Sequence, residues 1–149
     1  MGAKFFLSKE DFLLRTYEIV GAAMEVHKNL GGGFLEKVYE RALAVELKSR
    51  GISFETQRLL NVYYKGENIG DYAVDILVDN WLILELKAVK ELSDVHKSQC
   101  LNYLNALNLD VRLLINFGGA KLHYKRFVRK ELLPLIDSNA GEPISFSKI

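Results

Sequence analysis

The chain carries one cysteine, Cys100, in 149 residues, which excludes an intramolecular disulfide and leaves too few thiols for a zinc cluster. That fits a reducing compartment, with Cys100 expected as a small core filler. An excess of either charge is also missing. With 20 basic against 19 acidic residues the net charge is +1, so no global field attracts a polyanion and any grip on nucleic acid has to come from a local patch. No apolar run is long enough for a signal peptide or a membrane span: Phe5, Phe6 and Leu7 are followed at once by Ser8, Lys9, Glu10 and Asp11. The expected location is therefore cytoplasmic, without membrane association. Phe6 stands where a myristoylation signal needs Ser or Thr. Pro134 and Pro143, with Gly141, argue against a long final helix, so 129–149 reads as a short helix and a loose tail.

The remainder is ordinary for a folded protein. A composition 49% hydrophobic and 26% charged lies far from that of disordered chains, and the length suits one core, so one domain over 1–149 is expected, with its core at about 9–128. Ser8 looks like an N-cap, and Leu13, Tyr17, Val20, Met24 and His27 recur at helical spacing, which predicts a first helix over about 9–28. Leu30 to Gly33 break it. A second helix starts at Phe34 and ends at Gly51, a residue suited to a left-handed cap. Aromatic and β-branched residues over 53–64 and 68–78, separated by Lys65, Gly66 and Glu67, predict a β-hairpin. The apolar run 81–86 predicts a central strand buried on both faces. A helix over 93–107 and strands over 111–117 and 122–128 complete the order ααβββαββ, an α/β fold with a central sheet flanked by helices.

Chemistry is expected where charged residues interrupt apolar strands. Asp75 lies inside the second strand, and Glu85 and Lys87 close the third. An ionised group in a central strand costs several kcal/mol or more unless it is paired or binds a metal. Strand side chains alternate, so Glu85 and Lys87 share a face. Asp75 comes opposite Glu85 only if the connection after Val78 has an odd number of residues, such as Asp79 to Trp81, or an equivalent bulge. Two carboxylates and an ammonium would then converge in a hard-oxygen site suited to Mg²⁺ or Mn²⁺.

Asp75 followed by Glu85-Leu86-Lys87 resembles the D…(D/E)-x-K signature of the PD-(D/E)XK nuclease superfamily, whose strand, turn, strand, helix order is the one read here. Gly33-Phe34-Leu35-Glu36-Lys37-Val38-Tyr39 reads G-x-x-E-x-x-Y. With His27 and Leu30-Gly31 before it, this stretch resembles the prokaryotic GxxExxY protein family, itself similar to PD-(D/E)XK nucleases, over about 13–127. The resemblance implies a restriction-endonuclease-like fold and a phosphodiester hydrolase acting on DNA, less readily RNA. It implies a metal held by Asp75, Glu85 and the backbone carbonyl of Leu86, with Lys87 positioning the attacking water. It assigns Glu36, which heads the stripe Glu36, Tyr39, Leu43, Leu47, to the metal or its waters, with Tyr39 in support. Gln99 and Tyr103, on one helix face with Val95, resemble a Q-x-x-x-Y element in which Gln99 orients water or contacts phosphate and Tyr103 supports it.

Plainer explanations stand beside each of these. Asp75 and Lys87 suit a cross-strand salt bridge with Glu85 at a solvent-facing strand end, and Glu36 suits the positive end of a helix dipole. Gln99 and Tyr103 suit an ordinary half-buried helix face. His27 is expected as a hydrogen-bonded, buried histidine, and Gly31 to Gly33 lack the G-K-[ST] of a phosphate loop. Lys87, Lys90, Lys97, Lys121, Lys125, Arg126, Arg129 and Lys130 are the candidate basic surface. The rival function is a catalytically silent module that keeps the fold and binds nucleic acid or protein. So small a domain leaves a homodimer or partner protein to complete a substrate surface.

Overall fold

The computed structural model describes residues 9–107 and 111–128; the Ser8 cap, Arg129, Lys130 and the expected final helix and tail lie outside them. Helix α1 (Lys9–Leu30) stops where Gly31, at φ 69°, donates its N–H back to the carbonyl of His27 at 2.7 Å. Its buried stripe is Phe12, Thr16, Ile19, Ala23 and Val26, with Val20 and Ala22 also buried. This corrects the expected stripe, because Leu13, Tyr17 and Met24 are exposed. The two stripes run one position apart at the same spacing. Packing decides between them: Ala22 and Ala23 are buried in the core shared with α2 and the sheet, and Thr16 hides its hydroxyl by donating to the Phe12 carbonyl at 2.8 Å.

Helix α2 (Glu36–Ser49) buries Tyr39, Leu43 and Leu47. It ends as expected at Gly51, φ 70°, where the N–H groups of Gly51 and Ile52 close onto the carbonyls of Lys48 and Leu47 at 3.0 Å each, a Schellman cap. Strands β1 (Phe54–Tyr64) and β2 (Glu67–Val78) form an antiparallel hairpin. Its turn is shorter than expected, only Lys65 and Gly66, because both adopt the positive φ of a tight two-residue connection. Strand β3 (Leu82–Lys87) is antiparallel to β2, and helix α3 (Asp94–Ala106) carries the chain to β4 (Val111–Asn116), parallel to β3. Strand β5 (His123–Val128) returns antiparallel to β4.

The five strands lie in chain order, giving the mixed sheet and the ααβββαββ order read from the sequence. Leu82, Leu84 and Leu86 join the core built with α1 and α2, whereas Ile83 joins Val74, Leu77, Leu60 and Tyr72 on the opposite face. Ser93 caps α3 by accepting the N–H of His96, whose ring accepts the N–H of Ser93, a reciprocal box that fixes the helix start. No described helix is long and apolar enough to cross a membrane.

Candidate active site

The β2–β3 ladder runs from Val78↔Leu82 to Ile76↔Leu84 and brings Asp75 level with Glu85 one step further along. The connection that sets this register is Asp79, Asn80 and Trp81, three residues, with φ 51° at Asp79 and 64° at Asn80. Simple alternation is broken at the same point. Tyr72 and Val74 face the α3 side, while Ile76 and Val78 face the α1–α2 core, so the chain exchanges faces across Asp75. Asp75 therefore sits in the seam between strands, where its Oδ2 accepts the backbone N–H of Leu86 at 2.8 Å.

Glu85 turns to the α3 side. Its Oε2 accepts from the Tyr72 hydroxyl and from Nη2 of Arg112, and its Oε1 lies 3.9 Å from Lys87 Nζ. Arg112 is buried in β4, its guanidinium 4.9 Å from the centre of the Tyr72 ring, which stacks on Tyr103 at 4.1 Å. Burial pushes the Glu85 carboxyl up to about 7, Asp75 and Glu36 add to the rise, and Lys87 opposes it. Burial likewise raises the Asp75 carboxyl; the Leu86 N–H and Gln57 lower it, and Glu40 and Glu36 raise it. Burial lowers Arg112 to about 10. Burial is the main cause of both rises, with repulsion among the acids adding to it. Carboxylate oxygens are the donor type a hard divalent cation takes, and Asp75 and Glu85 are the residues that could hold one.

As placed, no three described histidine, cysteine or acidic side chains stand close enough to enclose a cation together. Glu36 is exposed at the positive end of α2, and the inward carboxylate one turn on is Glu40, which is buried. Glu40 takes Lys37 Nζ at 3.1 Å and the side-chain amide of Gln57. On α3, Gln99 and Tyr103 line a cavity of about 200 Å³ together with His96, Cys100, Glu85, Lys87, Tyr72 and Arg112. Val95, expected on their face, is exposed, as Gln99 and Tyr103 are. Cys100 is buried as expected. The structure thus places Asp75 beside the end of the strand that carries Glu85 and Lys87, its Oδ2 on the Leu86 N–H, and Gln99 and Tyr103 in the cavity that Glu85 and Lys87 line, while Glu36 stays exposed at the start of α2. Arg126 is buried over the Phe12 ring and cannot supply basic surface.

Sequence reasoning missed Glu40, Gln57, Tyr72, Arg112 and His96. Arg112 was findable, because a charge inside Val-Arg-Leu-Leu-Ile-Asn breaks an apolar run just as Asp75 does. Glu40 was findable too, being next to Tyr39 on the face of Leu43. Nothing in the sequence marks Gln57.

The G-x-x-E-x-x-Y residues have a structural role. Tyr39 donates its hydroxyl to the Gly31 carbonyl at 2.6 Å, accepts the Phe34 N–H at 3.3 Å, and stacks on Phe117 at 4.7 Å. His27 Nε2 meets the Gly119 carbonyl at 3.0 Å, the hydrogen bond expected for it in a half-buried setting. Together these tie the glycine loop to the segment after β4. Tyr39→Phe is expected to destabilise the fold by about 1–2 kcal/mol, read by urea denaturation, because it orphans a carbonyl and an N–H while sparing the ring stack.

The chain matches the family model of the PD-(D/E)XK nuclease superfamily over residues 14–127 and belongs to that superfamily. No curated protein and no solved structure matches it.

Proposed function

We propose that the protein is a divalent-metal-dependent nuclease hydrolysing phosphodiester bonds, with DNA as the preferred substrate and Mg²⁺ or Mn²⁺ as the metal. The observation that carries this reading is that Asp75 and Glu85 are the next residues of their strands beyond the last ladder pair, Ile76↔Leu84, with Asp75 raising the Glu85 carboxyl and Lys87 Nζ standing 3.9 Å from Glu85 Oε1. Asp75 and Glu85, with the Leu86 carbonyl, would hold the metal, and Glu36 would hold its waters. The bound metal supplies Lewis acidity toward the scissile phosphate and acidifies a coordinated water.

The chain's own residues do the rest. Arg112 and Tyr72 occupy one oxygen of Glu85, and the other faces Lys87. Lys87 places its ammonium to orient the attacking water and to stabilise charge developing on the phosphate. Gln99 and Tyr103 form the wall against which water or phosphate is held. Tyr39 supports the loop in front of Glu36. The narrower kinship with GxxExxY proteins, a prokaryotic and cytoplasmic setting, and a homodimer or partner that widens the substrate surface belong to the same proposal. Exposed Lys90 and Lys121 offer basic groups for the backbone of a nucleic acid.

The test is incubation with labelled single- and double-stranded DNA and with RNA, each with Mn²⁺, Mg²⁺ or EDTA. Cleavage of DNA in the metal arms alone is the expected result. The rival reading, a silent binding module, has one observation in its favour, the absence of an enclosing set of three donors among the described residues. It is selected if the nucleic acids bind uncut in every arm.

A further inference from the structure

Gln57 combines three unusual features. It has a φ of 54° inside strand β1, whereas the other non-glycine residues at positive φ, Lys65, Asp79 and Asn80, all sit in turns. It falls opposite Asp75 but is left out of the pairing, Thr56↔Ile76 on one side and Arg58↔Val74 on the other. From that kink its amide nitrogen donates to Glu40 Oε1 and reaches Asp75 Oδ1 at 3.4 Å.

A left-handed conformation is strained for any residue with a β-carbon, and it persists only where surrounding contacts hold it. Here it does so at the place where β2 exchanges faces. We propose that Gln57 is a positioning residue for the metal centre, kinked out of its strand so that its amide holds the Asp75 carboxylate level with Glu85; this rests on the metal-dependent nuclease reading. With Leu86 N–H on Oδ2 and Gln57 on Oδ1, both oxygens of Asp75 are restrained.

The residue type follows from electrostatics. A lysine or arginine between Glu40 and Asp75 would neutralise the carboxylates and compete with a divalent cation. A neutral amide separates two like charges and leaves their attraction for a cation intact. Asparagine, one methylene shorter, reaches less far from the same backbone. The amide acts through Asp75 and touches no reacting atom, and its effect belongs in metal affinity.

The experiment is calorimetric titration of the metal-free full chain with Mn²⁺, alongside thermal melts, for wild type, Gln57→Gly and Gln57→Ala. Both variants lose the amide, but only glycine relieves the backbone. The expected result is an affinity lowered about 10-fold or more in both, as for loss of an orienting partner behind a ligand, with the glycine variant melting at or above wild type and the alanine variant below it. Wild-type affinity in both variants overturns the proposal alone, and so does a glycine variant that melts below the alanine one. No Mn²⁺ binding by wild type overturns the underlying reading, and this one with it.

Discussion

Lys87→Ala is expected to lower the rate of metal-dependent cleavage about 10²–10³-fold while Mn²⁺ still binds, and Asp75→Ala is expected to lose cleavage at least as far and to lose Mn²⁺ binding as well. The split follows from position. Lys87 is a cation beside Glu85 Oε1, so in the proposed reaction it would assist the water and the phosphate while donating nothing to a metal. Asp75 lies in the strand seam with its Oδ2 on the Leu86 N–H, among Glu40, Glu36 and Glu85, where loss of one carboxylate removes half of the proposed strand-borne pair. Single-turnover rates paired with calorimetry read the two effects separately. Residual cleavage unchanged by both substitutions places the chemistry elsewhere.

The largest expected effect on stability comes from a glycine remote from the carboxylates in sequence. A β-carbon on Gly118 would lie 2.5 Å from the backbone nitrogen of Val89, closer still to its carbonyl oxygen, and 2.6 Å from the Ala88 carbonyl carbon. All are main-chain atoms, so no side chain can swing away. The same approach is locked by Asn116, whose Oδ1 accepts the N–H of Val89 at 3.0 Å and of Gly118 at 3.1 Å, and whose Nδ2 donates to the Val89 carbonyl at 2.9 Å. Gly118→Ala must push apart the segments that follow β3 and β4. A loss of about 3 kcal/mol is expected, equivalent to roughly 10 °C in Tm for a chain of this size. Val89 lies two residues after Lys87, so surviving folded protein should also cleave more slowly. A melt within 2–3 °C of wild type would contradict this account, since that margin is about 1 kcal/mol.

How far the sequence discloses the fold depends on the kind of signal. Period and punctuation gave every helix and strand of the described residues to within about two residues, because Gly31, Gly51 and Gly66 end or turn elements at positive φ and leave visible marks. Parity reasoning on Asp75 and Glu85 required an odd connection, and Asp79 to Trp81 provides it. Which of two adjacent stripes on α1 faces inward was not legible, since both carry large hydrophobic side chains at the same spacing, and the choice rests on the packing of Phe12, Ile19, Ala23 and Val26 in the core.

The site was legible where a charge broke an apolar strand. It was not legible where the backbone departs from regularity. Alternation predicts where Asp75 falls but not that it sits in the seam, its Oδ2 on the Leu86 N–H and its Oδ1 reached by the amide of the kinked Gln57. Such a placement depends on two neighbouring strands at once and leaves no pattern in either. Likewise, Glu36 was read as the inward acid because it heads the motif, but the helix begins at Glu36 and only Glu40, a turn later, is carried under the sheet edge.

The central claim is that Asp75 and Glu85 together hold a divalent cation. Isothermal titration of the metal-free wild-type chain with Mn²⁺ tests it most directly, with Asp75→Ala and Glu85→Ala measured alongside. Saturable binding by wild type that disappears in both variants is the predicted result. Wild-type protein that takes up no Mn²⁺, or variants that bind it as well as wild type, would contradict the account.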